Sequence, residues 1–324
     1  MKLNGLWRIL GGLMLAAPLV AGAQSVPFPS KPLRIIVGYA PGGPLDTVAR
    51  ALAPKMSDDL KQPVVVENRP GASGVIATEA IAHSAPDGYT LILNGITHAI
   101  LPALNPQLPF DSLNDFTPIA IVGYGPLLLV VNPSIPATSL EQFLSLARSQ
   151  PAKLSYASAG NGTSLHIAME MLKRAAKVEL VHVPYKGSAP AIADLIAGHV
   201  QVMIDVGPSA LPHVRSGRLR ALAVTGRQRL PELPDVPTMT EAGYPEADLV
   251  TWWGIFGAAR MPKPVVERLG EALQRATRDP EVRERFATLG GSPSWTTSEQ
   301  FEQILRKDMA RFATIIKDAG IRAD

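Results

Sequence analysis

Short apolar runs alternate along the chain with stretches of helical spacing. The runs 35–37, 64–66 and 89–93 are bounded by glycine, proline and asparagine, which favour turns. A helical pattern at 75–83 lies between two of these runs and ends at the turn 85–88. Strand and helix patterns that alternate at this spacing predict βαβ units and a mostly parallel sheet.

The rest of the chain repeats this alternation. Ser139, followed three residues later by Gln142, has the pattern of a helix cap. The continuous apolar runs predict strands that are covered on both faces. Such runs lie at 118–122 and 126–131. We also expect strands at 200–205 and 219–224, and amphipathic helices at 264–290 and 298–319.

A glycine-rich turn follows the first predicted strand. Gly42 and Gly43 precede Pro44, which suits the first position of a helix, and Asp46 lies in the first helical turn. Free backbone N–H groups at such a helix start form an anion site. The alternative is an ordinary strand-to-helix turn in which Asp46 is a capping residue.

A second turn of this kind opens the second half. Gly160 and Gly162 lead into a helix that Thr163 or Ser164 could cap. His166 stands four residues before a glutamate on one helical face, but packing or a local hydrogen bond explains it better than a metal site. Two such turns that face each other across a cleft would suit a small anion such as a carboxylate.

Residues 1–23 have the pattern of a cleaved secretory signal. Lys2 and Arg8 precede an apolar run at 9–20, which is short for a membrane span, and small residues follow at 21–23. Without this signal, the 31 basic and 28 acidic residues of the chain become 29 and 28. This balance gives no support to nucleic-acid binding, and the absence of cysteine excludes disulfides and thiolate metal sites. We expect neither a cofactor nor a metal.

No nucleophile elbow, kinase motif, P-loop or dinucleotide fingerprint is present in the sequence. One function class is a receptor for a small carboxylate. A second is a secreted hydrolase that would use Asp205, His166 and a loop hydroxyl on such a substrate. A third is a structural or sensory protein, in which the pocket is vestigial or serves a signalling partner.

Several segments together carry a resemblance to one family. The chain is similar to the Bug/TctC family of periplasmic solute-binding receptors, which serve tripartite tricarboxylate transporters. The similarity runs from residue 29 to the C-terminus. The matching segments are 29–37 (PSKPLRIIV), 40–43 (APGG), 63–72 (PVVVENRPGA), 85–90 (APDGYT), 97–100 (THAI), 183–187 (VPYKG) and 236–238 (VPT).

The resemblance implies an α/β, two-domain, type II periplasmic-binding-protein-like fold that closes on its ligand like a flytrap, with the ligand cleft between the domains. We expect a signal peptide at 1–23, a discontinuous first domain at 24–127 and 250–324, and a second domain at 128–249. The protein is expected to be a periplasmic monomer. Its expected partners are a small carboxylate and the membrane subunits of the transporter.

The resemblance also implies the ligand-binding residues. Family members hold a ligand carboxylate largely through loop backbone groups and bridging waters. In the first domain the matching residues are Tyr39, Ala40, Pro41, Gly42, Gly43, Asp46, Thr97 and His98. In the second they are Ser158, Ala159, Gly160, Asn161, Gly162, Thr163, His166, Lys186, Gly187 and Asp205.

The chain departs from the family at Pro44 and Leu45, where small or hydroxyl residues are usual. Leu45 makes that wall of the cleft more apolar, and Lys186 is the one cationic residue placed in the predicted pocket loops. Flat surfaces could come from Tyr39 and Tyr185, and from the tryptophan pair at 252–253 unless it packs beneath the hinge. We therefore expect a monocarboxylate or dicarboxylate with an apolar or aromatic body.

Overall fold

The computed structural model of the chain describes residues 28–185, 187–226 and 228–321. The signal peptide predicted at 1–23 lies outside these residues. The strands are β1 (Leu33–Val37), β2 (Val64–Asn68), β3 (Thr90–Gly95), β4 (Phe116–Gly125), β5 (Leu127–Val131), β6 (Ser155–Ser158), β7 (Val181–Pro184), β8 (Val202–Val206), β9 (Arg220–Val224), β10 (Thr251–Ala258) and β11 (Ser292–Pro293).

Helices connect most of these strands. They are α1 (Pro44–Leu60), α2 (Val75–Ala82), α3 (Thr97–Leu104), α4 (Leu140–Ser149), α5 (Ser164–Ala176), α6 (Ser188–Ala197), α7 (Gly207–Arg215), α8 (Lys263–Arg278), α9 (Pro280–Thr288) and α10 (Ser298–Ala319). None of the helices described is long and apolar enough to cross a membrane.

The strands form two sheets, which define two lobes. The sheet of lobe 1 has the order β11-β4-β10-β3-β1-β2, and the sheet of lobe 2 has the order β7-β6-β8-β5-β9. The α/β class and the two-domain architecture that the sequence predicted are confirmed.

The prediction of mostly parallel sheets is wrong in part, because both sheets are mixed. Strands β1, β2 and β3 pair in parallel, as do β6, β7 and β8. However, β10 is antiparallel to β3 and β4, and β5 is antiparallel to β8 and β9. Both of these strands directly follow a crossing from the other lobe, so each enters its sheet from the opposite end.

The crossings bring the two sheets edge to edge. Strands β3 and β4 lie on either side of the antiparallel β10 and therefore end at the same edge of the lobe 1 sheet. In lobe 2, Leu127 at the start of β5 pairs with Val206 at the end of β8. Only Pro126 separates Leu127 from Gly125, the last residue of β4. The edges at which the parallel strands of both lobes end therefore meet at Pro126.

Local sequence signals explain most helix boundaries. Pro44 is the first residue of α1, and the side chains of Ser139 and Thr163 cap α4 and α5, as predicted. The helical stretch predicted at 264–290 is two helices, because Asp279 takes an extended conformation before Pro280 and caps α9. Helix α10 has the predicted bounds.

Two apolar clusters form the core. One lies between the lobe 1 sheet and the helices α1, α8 and α9. The other covers the opposite face of that sheet, where α3 and α10 pack, and continues into lobe 2. The lobes therefore share a continuous apolar core on one side of the molecule.

Candidate functional site

Six helices begin where parallel strands end. In lobe 1, β1, β2 and β3 lead into α1, α2 and α3, and in lobe 2, β6, β7 and β8 lead into α5, α6 and α7. Because the two edges meet at Pro126, these helix N-termini lie on both sides of one cleft. Each contributes partial positive charge and N–H groups without a helical partner. The cleft therefore favours an anion, as open α/β sheets do at this edge.

Contacts between the lobes lie close to this cleft. A Cβ atom at Gly162 would lie 2.5 Å from Cδ1 of Leu104, at the end of α3. A Cβ atom at Gly207, the first residue of α7, would lie 2.7 Å from the carbonyl oxygen of Leu289. The lobes thus approach each other closely in this conformation.

In lobe 1, residues 38–43 form the loop between β1 and α1, and Asp46 holds this loop. The buried Asp46 carboxylate accepts hydrogen bonds from the Gly42 amide (2.9 Å), Arg50 Nε (3.0 Å) and Asn68 Nδ2 (2.9 Å). The Asn68 amide also donates to the Tyr39 carbonyl (3.0 Å). Burial opposes ionisation, but these hydrogen bonds outweigh it and hold the pKa of Asp46 below its usual range.

These contacts assign Asp46 to the scaffold of the loop. Helix α1 begins without a side-chain cap, and the Asp46 side chain instead accepts from the Gly42 amide before the helix. Direct contact of Asp46 with a ligand stays a prediction that its three protein partners do not favour. By contrast, Ala40, Pro41 and Gly42 are exposed at the cleft, and a Cβ atom at Gly42 would meet nothing within 4 Å.

In lobe 2, residues 158–163 form the loop between β6 and α5, and side chains hold it in the same way. The Gly160 amide donates to Ser158 Oγ (3.2 Å), and the Gly162 amide donates to His166 Nδ1 (3.1 Å). Thr163 Oγ1 donates to the Gly160 carbonyl (2.8 Å). His166 therefore supports the loop from within the protein, where it is 6% exposed. Ala159 and Asn161 are half-buried members of the same loop.

The amides of Gly42, Gly160 and Gly162 are thus engaged within the protein. The donors available to a ligand lie further on, in the first turns of the helices. Backbone N–H groups in the first turn of a helix have no helical partner, and in α1 and α5 they include those of Leu45, Asp46, Ser164 and Leu165.

Thr97 and His98 are the first two residues of α3, not part of a loop. Thr97 is half-buried and hydrogen-bonds to the Tyr39 side chain. His98 is buried, its Nε2 lies 2.8 Å from the Ser112 carbonyl oxygen, and its ring stacks on Phe256 at 4.5 Å. Burial lowers the pKa of His98 to about 4. This side chain is part of the core, so its role as a ligand contact is not favoured by the structure.

Asp205 lies at the end of β8, beneath the start of α6. Its Oδ1 accepts from Ser188 Oγ (2.7 Å) and the Val206 amide (2.8 Å), whereas Oδ2 is buried with no hydrogen-bond partner among the described residues. Burial raises the pKa of Asp205 to about 7, against the effect of these hydrogen bonds. Gly187 caps α6 beside it, and a Cβ atom there would meet nothing within 4 Å. Lys186 lies outside the described residues.

The aromatic residues proposed for the pocket divide into two groups. Tyr39 and Tyr185 are half-buried beside the loops, and Tyr185 donates to Asp194 (2.7 Å). Trp252 and Trp253 are buried; Trp252 Nε1 donates to Asp308 (2.9 Å), and Trp253 packs on a core phenylalanine. Their burial favours the alternative that the tryptophans pack in the core, and Leu45 also packs partly on the core of lobe 1.

Sequence reasoning missed three residues that shape the two loops. Arg50 and Asn68 hold Asp46 and the lobe 1 loop, and His182 lies 2.7 Å from Ser158 in the lobe 2 loop. The spacing of Arg50 four residues after Asp46 is a signal for the first pair. His182 gives no such signal, because only strand pairing brings β7 beside β6.

A cavity of about 720 Å³ lies beside the crossings between the lobes. Its lining includes Tyr124, Thr225, Gly226, Gly290 and Gly291, and none of its lining residues belongs to the two loops. We therefore do not place the carboxylate site there. Within the described parts of the chain, no three metal-ligating side chains are grouped to hold a metal ion.

Comparison with known proteins decides the family. A model described as "Tripartite tricarboxylate transporter family receptor", TctC, matches residues 48–321. The chain belongs to this family. The resemblance seen in the sequence is therefore confirmed, and so is the general function of a solute-binding receptor.

Solved structures of the TctC and Bug type have the same fold. The periplasmic binding protein BugD has a TM-score of 0.81 and 34% identity, over 92% of this chain and 100% of that one. Rpa4515 of R. palustris, solved with adipate, has a TM-score of 0.83 and 32% identity, over 91% of this chain and 99% of that one. MatC of Rhodopseudomonas palustris, solved with bound malate, has a TM-score of 0.78 and 34% identity, over 89% of this chain and 100% of that one.

Proposed function

We propose that this TctC-family receptor captures a monocarboxylate or dicarboxylate with an apolar or aromatic body. The binding site is the cleft between the lobes, and the proposed contacts come from the lobe 1 loop, the lobe 2 loop and the first turns of the adjoining helices. The membrane subunits of a tripartite tricarboxylate-type transporter then receive the ligand. The solved relatives that hold adipate and malate support a small carboxylate.

The charge around the cleft carries this proposal. Within the described parts of the six strand-to-helix connections, Arg69 is the one cationic residue, and its Nε donates to Glu67 at 2.7 Å. Compensation of a ligand charge therefore falls to helix N-termini and to Lys186. Each helix terminus supplies roughly half a unit of positive charge. One or two carboxylates suit this field better than three.

The arrangement favours capture over turnover. Asp205 bonds to Ser188 and a backbone amide, and His166 accepts from the Gly162 amide, so these residues form no relay with each other. Ser158 does lie against a histidine, but it is fully buried and serves its own loop. We propose that the protein is a receptor without enzymatic activity.

We further propose that the mature protein acts in the periplasm as a monomer after removal of residues 1–23. Its lobes correspond to residues 24–127 with 250–324 and to residues 128–249. The two sheets and the crossings at Pro126 and between β9 and β10 support these bounds.

A thermal-shift screen tests the ligand class. We expect succinate, adipate or a benzoate-type acid to raise the melting temperature more than citrate. A ligand at a hundred times its dissociation constant adds about 2.7 kcal/mol to the free energy of unfolding, which gives a measurable shift. Native mass spectrometry of gently purified protein would identify a retained ligand. Stabilisation by citrate alone would contradict the charge argument, and turnover of a bound acid would contradict the receptor assignment.

A further inference from the structure

A stack of three rings lies beneath the lobe 2 loop. The His182 ring is stacked between Tyr156 and His166, with centroid distances of 4.7 Å and 4.0 Å. The rings come from β6, β7 and α5, so the stack joins the elements that flank the loop. Stacked aromatic rings attract one another beyond the effect of the area that they bury, so the stack supports the loop from below.

The outer end of this stack is anchored. The Tyr156 hydroxyl donates to Glu170 Oε1 at 2.5 Å, and Lys173 Nζ donates to the same oxygen at 2.6 Å. Tyr156 is fully buried, so this hydrogen bond also satisfies its hydroxyl group. The position of the Tyr156 ring is therefore fixed independently of the loop.

The other two rings reach the loop itself. His182 Nε2 lies 2.7 Å from Ser158 Oγ, and that oxygen accepts from the Gly160 amide. His166 Nδ1 accepts from the Gly162 amide. Gly160 and Gly162 have φ of +135° and +70°, so the loop has a conformation that needs its glycines. The stack thus contacts Gly162 directly through His166 and Gly160 indirectly, through His182 and Ser158.

We propose that His182 is a positioning residue for ligand binding. It fixes Ser158, and through Ser158 the Gly160 amide, so that the lobe 2 loop and the first turn of α5 are preorganised for a carboxylate. This inference rests on the proposed function, because it places the ligand at that loop. Preorganisation raises affinity by removing the cost of ordering the loop on binding.

Three variants test this role by calorimetry with succinate, adipate and benzoate as probes. His182→Phe keeps a ring in the stack but lacks the nitrogen beside Ser158, and Ser158→Ala removes the other partner. His182→Gln restores a hydrogen-bonding group. His83→Phe, at an exposed histidine that ends α2, is the matched control. Thermal unfolding of each variant confirms that it is folded.

We expect His182→Phe and Ser158→Ala each to weaken binding about tenfold, or about 1.4 kcal/mol. The double variant should bind no more weakly than Ser158→Ala, because that substitution already removes the contact between Ser158 and His182. His182→Gln should recover part of the affinity, and the control should bind normally. If His182→Phe does not fold, Ser158→Ala carries the test.

A ligand-free measurement separates this inference from the proposed function. In ¹⁵N-glycine-labelled protein, the Gly160 amide signal should shift in His182→Phe and in Ser158→Ala, and not in the control. If the wild-type protein binds one of the acids and both variants bind it with the same affinity, the inference about His182 is overturned and the proposed function is not. If the wild-type protein bound none of the acids tested, the proposed function would be overturned together with the role of His182 in binding.

Discussion

At the residue scale, the charged side chain of Asp46 holds the loop between β1 and α1 beside the cleft. Asp46 is buried, and its partners are the Gly42 amide, Arg50 and Asn68. Its lowered pKa means that the folded state favours the carboxylate, so its stabilising effect is present at neutral pH. The effect is lost as the pH falls below the usual carboxyl range near 4 and through the pKa of the folded protein.

Asp46→Asn should therefore destabilise the protein at pH 7. Hydrogen bonds to charged groups are worth about 1.5–3 kcal/mol each, and partial replacement by the amide reduces the expected loss to about 1–3 kcal/mol. Urea unfolding at several pH values measures it, and the difference from wild type should shrink below about pH 4. Asp58→Asn, at an exposed position of the same helix, is the control. Equal effects of both substitutions would show that the Asp46 network contributes nothing.

Two other buried groups make the stability of the folded protein depend on pH in opposite directions. The pKa of His98 is lowered to about 4, so the unfolded state binds more protons between about pH 4 and 6.5, and stability rises with pH there. The pKa of Asp205 is raised to about 7, so the folded state binds more protons between about pH 4 and 7, and stability falls with rising pH.

The two effects should be separable by substitution. Asp205→Asn should gain stability relative to wild type as the pH rises from 4 to 7, and His98→Gln should lose it from 4 to 6.5. The limiting slope is about 1.4 kcal/mol per pH unit for each. Denaturant unfolding of the three proteins across this range gives both difference curves. Curves of the same sign, or two flat curves, would refute the assignment of these protonation states.

At the scale of elements, two glycine turns begin the helices that face the cleft. Gly42 has φ of +85° and Gly160 has φ of +135°. A valine at Gly42 would project into open space, whereas a Cβ atom at Gly160 would lie 3.3 Å from the Tyr185 carbonyl oxygen. The first substitution tests occupation of the cleft, and the second also tests the shape of the loop.

We expect Gly42→Val and Gly160→Val each to abolish carboxylate binding in calorimetry while the fold is retained. A positive φ costs a residue that has a side chain about 1–3 kcal/mol, which a domain of this size tolerates. Gly217→Val is the matched control, because Gly217 has φ of +70°, has nothing within 4 Å of its Cβ position and lies in the turn between α7 and β9. Loss of binding in the control, or normal affinity at Gly42, would argue against the site.

The elements show how far sequence reasoning reaches. Turn residues and apolar periodicity predicted the start of α1 at Pro44 and the bounds of α10, because both signals are local. They did not predict the antiparallel insertion of β5 and β10, which depends on the order of the strands. The core position of His98 and the contact of His182 with Ser158 depend on neighbours distant in the chain. For the same reason, composition and spacing alone left the role of the glycine loops open.

On the scale of the whole molecule, the two lobes are joined by narrow connections and by contacts on both sides. Pro126 lies alone between β4 and β5, and the second crossing leads from β9 into β10. Arg174 of α5 forms an ion pair with Asp318 of α10 at 3.1 Å, and this pair is more than two-fifths exposed at each side chain. Such exposed pairs contribute little, so this ion pair adds little to the cost of rotating the lobes about the crossings.

We expect the lobes to move as rigid bodies when a carboxylate binds, because hinge closure at a few residues between two packed lobes is a common response to ligands. Each lobe keeps its own sheet intact, and the change falls on Pro126 and on the segment between β9 and β10. Small-angle scattering with and without a saturating ligand should show a smaller radius of gyration in the complex.

The control is Gly42→Val, measured with the same ligand, which should keep the radius of gyration of the ligand-free protein. The Gly207 backbone already lies close to Leu289 in this structure. If the ligand-free protein is closed in this way, ligand binding leaves its radius of gyration unchanged. An unchanged radius in the wild-type protein at saturation, confirmed by calorimetry on the same sample, would therefore contradict ligand-driven closure and indicate a preformed site.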